Sequence, residues 1–317
     1  MKINTVLCPI DFSAIAKSVV GLAIQTCQLF GARLVLHHSV EGVPVRGASP
    51  IHAEQAEYDA AAELLQETAA RAPTSIHAVP RITKGRAFKS ILELAEELPA
   101  DLIVMGTRGR GGVDHLILGS TTERVVAHSR CPVLATRDVG HNIILPERGD
   151  PAASGPAQVL VPIDFSEHSL KTLAEAYAMM ELLPVSLHLL HVVEPDPWDD
   201  MRGARHFNVP EFLGHRLRDA TVTLRALVPR DLENRVQSQA LMGPVANEIT
   251  GYASRIQARL IIMGVKHQGA LKGFFFGTTS YGVLRHSPCP VWIVPELTSD
   301  KTSDARKETK SLHSIAF

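Results

Sequence analysis

Cysteine is scarce in this sequence, and long apolar runs are missing. The chain has 317 residues and only four cysteines, Cys8, Cys27, Cys131 and Cys289, with no C-x-x-C pair among them. Isolated cysteines are typical of small buried hydrophobic side chains in a reducing compartment, not of a disulfide framework or a zinc site. No stretch approaches the roughly 20 apolar residues of a membrane span, and the N-terminus lacks the apolar core of a signal peptide. These absences predict a cytoplasmic protein that does not engage a membrane.

An excess of charge of either sign is also missing. The 32 Lys and Arg residues nearly balance the 33 Asp and Glu residues, which leaves a net charge of −1. A general nucleic-acid binder is usually basic, so no nucleic-acid partner is expected. The content of 45% apolar and 21% charged residues is ordinary for a globular protein. The length predicts two domains rather than one.

Several catalytic motifs are absent as well. There is no G-x-x-x-x-G-K-[ST], which excludes a P-loop NTPase, and there is no H-E-x-x-H or G-x-S-x-G. The H-x-G-H motif of nucleotidyl transferases is missing too. The 15 histidines do not replace these motifs. His37 and His38 are neighbours on a predicted strand and would point to opposite faces, so they suit neither a shared metal nor a relay.

Strands and helices alternate through the first half of the chain. Strands are predicted over 5–10, 33–40, 75–83, 101–105 and 131–136, and Pro80 predicts that the third is an edge strand. Helices are predicted from an N-cap at Ser13 to Phe30, over 51–71 and 86–98, and from Gly119 to about Ser129. This alternation indicates an α/β fold, a doubly wound parallel sheet with helices on both faces.

A glycine-rich loop follows the fourth predicted strand. The strand ends in Met105-Gly106, and the loop continues through Gly109 to a helix start at Gly119-Ser120-Thr121. Glycines let backbone N–H groups approach an anion closely, and a helix start offers free N–H groups to a phosphate. The spacing G-x-x-G-x-G differs from the dinucleotide fingerprint G-x-G-x-x-G. The loop therefore indicates a phosphate cradle, with a plain surface turn as the alternative.

The whole pattern then repeats. Val159 to Ser166 mirrors Val6 to Ser13 at an offset of 153 residues, and His191 mirrors His38 at the same offset. Met263-Gly264 mirrors Met105-Gly106 at an offset of 158 residues, which places a five-residue insertion between Glu194 and Gly243. Matches that run in register through both halves indicate two copies of one α/β unit. The predicted domains are 1–136 and 157–295, joined by a Gly- and Pro-rich linker over 137–156 and followed by a flexible tail over 296–317.

With both copies placed, the sequence resembles the universal stress protein family in its tandem form. The resemblance rests on a first strand ending in Pro-x-Asp-x-Ser (Pro9 to Ser13) and on a later Gly-x-x-Gly, nine residues, Gly-Ser/Thr (Gly106 to Ser120). It implies two Rossmann-like sheets of the adenine nucleotide α-hydrolase type, each with five parallel strands in the order 3-2-1-4-5. It also implies ATP, alone or with Mg²⁺, at the strand ends. Family dimers pair through the fifth strand, so 131–136 and 289–294 are expected to pair within this chain, and a homodimer is left open.

The resemblance assigns roles to individual residues of the first repeat. Asp11 would accept hydrogen bonds from the adenine amine or a ribose hydroxyl, although bracing the first helix is an alternative role. The backbone of Ser39 would read the adenine edge, and Met105 would pack on the base. Arg108 would add positive charge beside the phosphates, or else belong to a solvated loop. The implied nucleotide-binding residues are Pro9, Asp11, Ser39, Met105, Gly106, Arg108, Gly109, Gly119, Ser120 and Thr121.

The second repeat departs from this motif. Gly264 and Gly277 are present, but His267 replaces the middle glycine, and its side chain would occupy space that a phosphate needs. The same loop carries Phe274, Phe275 and Phe276. We therefore expect ATP in the first domain and weak or no ATP binding in the second.

Three functions are compatible with the sequence. The first is a nucleotide-dependent stress-response or regulatory protein that acts on protein partners without dedicated catalysis. The second is a slow ATPase or phosphotransfer enzyme, with Asp114 or His115 as the general base. The third is a scaffold whose second domain binds an apolar ligand or a protein partner through residues 274–276. Fold alone does not choose among them.

Overall fold

The structure is a computed structural model that describes residues 2–41, 50–107, 118–137, 155–195, 209–265 and 277–296, with the side chains of 50–54 and 209–212 left out of the description. The first repeat contains β1 (Thr5–Pro9), α1 (Ala16–Phe30), β2 (Arg33–Val40), α2 (Pro50–Ala70), β3 (Ala78–Lys84), α3 (Ala87–Glu97), β4 (Leu102–Gly106), α4 (Ser120–His128) and β5 (Val133–Thr136). The second contains β6 (Ala157–Pro162), α5 (Glu167–Leu182), β7 (Val185–Val193), α6 (Val209–Ala226), a 3₁₀ turn (Arg230–Leu232), β8 (Val236–Met242), α7 (Val245–Arg255), β9 (Leu260–Val265), α8 (Thr278–His286) and β10 (Val291–Pro295).

All ten strands form one sheet, in the order β3-β2-β1-β4-β5-β10-β9-β6-β7-β8. Within each repeat the neighbouring strands are parallel, and the order is the predicted 3-2-1-4-5. The two halves meet where β5 and β10 pair antiparallel, with Leu134 opposite Trp292. The predicted α/β fold class and the predicted pairing of the fifth strands are therefore both found in the structure.

The inner strands of the sheet are buried on both faces because helices cover both of its sides. One core layer lies under α1, α2, α5 and α6, and the other lies under α3, α4, α7 and α8. Each layer runs without a break through both repeats. At the seam, Trp292 is 3% exposed, and its ring centroid lies 6.5 Å from that of Phe30 in α1. Burying side chains of this size stabilises the fold by about 1.5–3 kcal/mol each. Since both core layers contain side chains of both repeats, the two repeats pack as one unit.

The first helix begins later than the sequence predicted, and the prediction of Ser13 as its N-cap is wrong. Phe12 has a left-handed backbone, with φ of 56°, and the Ser13 N–H donates to Asp11 Oδ1 at 3.0 Å. This tight turn delays α1 until Ala16. In the second repeat, Ser166 does cap its helix, because its Oγ accepts the Ser169 N–H at 3.2 Å.

The third strand begins at Ala78, three residues after its predicted start, and it lies at the edge of the sheet as Pro80 predicted. None of the helices within the described ranges is long and apolar enough to cross a lipid bilayer.

Candidate functional site

A crevice opens in the first repeat where β1 and β4 separate. The two strands pair only at Val6–Leu102 and Leu7–Ile103, and beyond that their carboxyl ends diverge. The crossover direction reverses at this point of the sheet, which is where open α/β sheets bind ligands. Pro9 ends β1, and Met105 and Gly106 end β4. The topology therefore brings these predicted residues to one edge of the sheet.

The turn after β1 presents Asp11 beside this crevice. Asp11 Oδ1 accepts the Ser13 N–H, so the carboxylate does brace the turn before α1. His38 supports the same turn, because its Nδ1 lies 2.7 Å from the Ile10 carbonyl oxygen and its ring lies 4.7 Å from the ring of Phe12. A carbonyl only accepts, so His38 Nδ1 carries the proton in this bond.

The second repeat has the same histidine and phenylalanine contacts in its turn. His191 Nδ1 lies 2.7 Å from the Ile163 carbonyl oxygen, and the His191 ring lies 4.5 Å from that of Phe165. Phe165 also has a left-handed φ, of 60°. The recurrence of His38 and His191 in the sequence thus has a structural cause, since each ring supports the turn of its own repeat.

The start of α4 forms the other side of the first crevice. Gly119 is the N-cap residue, and its N–H donates to the Thr107 carbonyl at 2.8 Å. Thr122, which the sequence analysis missed, donates its hydroxyl to the Gly106 carbonyl at 2.7 Å. These two bonds fasten the helix start to the end of β4. The N–H groups of the first turn, at Ser120 and Thr121, therefore lie beside the strand end with the positive end of the helix dipole.

A buried polar corner lies at the ends of β2 and β3, and the sequence analysis missed it. The His37 ring is 1% exposed, and its Nε2 lies 2.8 Å from Thr83 Oγ1. Burial lowers the pKa of His37 to about 4, so the ring is neutral at pH 7. Its Nδ1 is buried without a hydrogen-bond partner. The Ser39 hydroxyl donates to the Gly85 carbonyl at 2.7 Å and lies 3.3 Å from Ser90 Oγ.

The second repeat has a cavity of about 370 Å³ at the equivalent crevice. Its walls come from the ends of β6, β7 and β9 and from the starts of α5, α7 and α8. Apolar side chains form much of the lining, among them Leu190, Val192, Ile249 and Met263. Polar side chains in and near the turn after β6 also line the cavity. They include Asp164, Ser166, His168 and His191.

Gly264 lines this cavity, and packing explains why it has no side chain. A Cβ at this position would lie 2.6 Å from Cδ2 and Nε2 of His168 and 2.8 Å from Thr172 Oγ1. The His168 ring cannot move away easily, because it is 7% exposed and its Nε2 lies 3.1 Å from the Val294 carbonyl oxygen. In this repeat the glycine that the sequence linked to a phosphate loop is therefore required by a neighbouring histidine.

Comparison with known proteins identifies the fold and the repeats. The family model described as "Universal stress protein family" matches residues 2–137 and 157–295. The chain belongs to the universal stress protein family. A universal stress protein of Thermus aquaticus is 39% identical over 138 residues, which are 42% of this chain and 98% of that protein. One from Methanocaldococcus jannaschii is 30% identical over 139 residues, 42% of this chain and 81% of the relative.

A solved structure of similar length supports the same fold. The crystal structure of a universal stress protein from Archaeoglobus fulgidus superposes with a TM-score of 0.65 at 22% identity. The superposition covers 93% of this chain and 97% of that one. The resemblance noted in the sequence is therefore confirmed for both repeats, and the tandem arrangement extends across the described sheet.

In this universal stress protein, eight of the ten predicted nucleotide residues are described, and they lie at or just after the carboxyl ends of β1, β2 and β4 and at the start of α4. The other two, Arg108 and Gly109, lie outside the described residues, as do His267, Asp114 and His115 and the three phenylalanines at 274–276. Among the described residues, no group of three His, Cys, Asp or Glu side chains is placed to hold a metal ion.

Proposed function

We propose that this universal stress protein binds ATP in the crevice of its first repeat and that ATP occupancy regulates its contacts with protein partners. The observation that carries the proposal is the fastening of the α4 start to the end of β4 through Thr122 and Gly119. Helix N–H groups that are held at a strand end are preorganised for the phosphates of a nucleotide. The family resemblance supplies the identity of the nucleotide.

The other walls of the crevice suit the rest of the nucleotide. Asp11 offers a carboxylate beside the turn, and hydrogen bonds from an amine or a hydroxyl to such a charged group contribute about 1.5–3 kcal/mol each. Met105 is 4% exposed at the end of β4, where its flexible side chain can pack against a base. Arg108 and Gly109 are proposed phosphate contacts on the sequence motif alone.

Matched substitutions in the two repeats test the proposal. ATP binding to the full-length protein is measured by isothermal titration calorimetry, with and without Mg²⁺. Asp11→Asn keeps the shape of the side chain and removes its charge, and we expect it to weaken ATP about 10- to 100-fold. Asp164→Asn is the control, because Asp164 holds the equivalent turn of the second repeat, with its Oδ1 2.9 Å from the Ser166 nitrogen.

Two results would count against the proposal. One is a wild-type protein that neither retains adenine nucleotide after purification nor binds added ATP. The other is an equal loss of affinity in Asp11→Asn and Asp164→Asn, which would place ATP in both repeats or in neither crevice. Catalysis is not part of the proposal, since Asp114 and His115, the general-base candidates from the sequence, lie outside the described residues.

A further inference from the structure

We infer that the cavity of the second repeat binds a small, neutral amphipathic molecule, which has an apolar body and one hydrogen-bond-donating head, instead of a nucleotide. The site is distinct from the ATP site proposed above, and it is assigned from three features of the second repeat. These features are the polarity of the cavity wall, the hydrogen-bond acceptors in the cavity lining and the size of the cavity.

The wall of the cavity has changed polarity relative to the first repeat. The polar corner at the ends of β2 and β3 is replaced at the ends of β7 and β8 by aliphatic side chains. The strand registers match, since Ser39 pairs with Thr83 in one sheet half and Val192 pairs with Leu241 in the other. The replacements are His37 by Leu190, Ser39 by Val192 and Thr83 by Leu241.

This change favours an apolar group at the wall of the cavity. Leu190 is 1% exposed and lines the cavity together with Val192. A polar group that is desolvated against such a wall loses its bonds to water and gains no side-chain partner. An apolar surface placed there is removed from water at no such cost.

The lining of the cavity includes side chains that can accept hydrogen bonds. His191 Nδ1 and His168 Nε2 face backbone carbonyl oxygens, so both of these nitrogens carry the proton. When such a ring carries a single proton, its other nitrogen can accept a hydrogen bond. Asp164 adds a carboxylate, which the Ser166 N–H holds in place at 2.9 Å.

These acceptors select the head group of the ligand. A hydroxyl or an amine N–H on the ligand matches them, whereas a negatively charged group placed beside Asp164 would be repelled. The cavity volume of about 370 Å³ lies at the lower end of the range for small-molecule sites. The ligand class is therefore a compact apolar molecule with a single donor.

N-phenyl-1-naphthylamine is a suitable probe, because it is neutral, mostly aromatic and carries one N–H, and its fluorescence rises in apolar surroundings. The probe is titrated into the full-length protein, first alone and then with saturating MgATP. We expect one saturable site per chain and an unchanged affinity in the presence of ATP. No saturable fluorescence, or displacement of the probe by ATP, would overturn the inference.

Substitutions at Val192 test whether the probe binds in the cavity. Val192→Ser introduces the residue type of the first repeat, and Val192→Phe fills part of the cavity. We expect each substitution to weaken binding of the probe at least fivefold. Val222→Ser is the matched control, since Val222 is 67% exposed on α6. Circular dichroism spectra and ATP affinity should stay at wild-type values in all three variants. Unchanged probe binding in both Val192 variants would refute the site, whatever the outcome for ATP.

Discussion

Replacing Gly264 by alanine tests the packing of the second crevice most directly. The added Cβ would lie 2.6 Å from the His168 ring and 2.8 Å from the Thr172 hydroxyl oxygen, far closer than real contacts allow. Neither neighbour has room to shift, since Thr172 is fully buried and donates its hydroxyl to the His168 carbonyl. Overpacking of this kind costs about 1–3 kcal/mol. The lower entropy of the unfolded alanine chain offsets up to about 1 kcal/mol, which leaves a net loss of roughly 1–2 kcal/mol.

The loss is measured as a shift in the midpoint of urea unfolding, followed by circular dichroism at pH 7. Gly251→Ala is the matched control, because Gly251 lies inside α7 with nothing within 4 Å of an added Cβ. We expect that control to gain about 0.5–1 kcal/mol from better helix propensity. The same chemical change should thus have opposite signs at the two sites.

A double-mutant cycle with His168→Ala isolates the clash. Removing the imidazole opens space next to position 264, so Gly264→Ala should cost at least about 1 kcal/mol less in the His168→Ala background than in the wild type. A Gly264→Ala protein as stable as the wild type would refute the reasoning. So would a penalty of the same size in both backgrounds, since the destabilisation would then have a source other than the ring.

Three further predictions concern side chains elsewhere in the fold. The folded protein keeps His37 neutral, with a pKa of about 4, while the unfolded chain protonates it near pH 6.5. The contribution of His37 to the free energy of unfolding should therefore fall by about 2 kcal/mol from pH 8 to pH 5. His37→Leu should reduce the pH dependence of the urea unfolding midpoint, and the same pH dependence in variant and wild type would contradict this. Trp292→Ala should lower the free energy of unfolding by about 3–5 kcal/mol. In differential scanning calorimetry both repeats should unfold in a single transition at a lower temperature, whereas two separate transitions would show that the halves unfold independently. Arg235→Met should lower the free energy of unfolding by about 1–3 kcal/mol, because the guanidinium donates to three backbone carbonyls at the end of α5 and the start of β7. An unchanged midpoint of thermal unfolding would exclude this role.

Periodicity and the internal repeat predicted the fold well. The offset matches located both copies, and apolar runs bounded by glycine and proline located the strands, since buried parallel strands carry little else. The order of the strands came from the family resemblance. Pro80 predicted an edge strand because its missing N–H cannot serve a central strand.

Backbone turn geometry and contacts between distant residues were not predicted. Ser13 has the right residue type for a helix cap, but the left-handed turn at Phe12 directs its N–H to Asp11 instead. The buried, neutral state of His37 depends on Thr83, 46 residues away in the sequence. The exchange of His37 for Leu190 was visible once the repeats were aligned, but its meaning required the cavity that the structure places beside it.

The antiparallel seam between β5 and β10 has a consequence for access to the protein. Strands that run parallel within each repeat run in opposite directions in the two repeats, because the seam reverses them. The carboxyl ends of the first five strands therefore face one end of the sheet, and those of the last five face the other. The two crevices open on opposite sides of the molecule, so a partner that covers one leaves the other open to solvent. The two proposed ligands would thus be reached from opposite ends of the sheet.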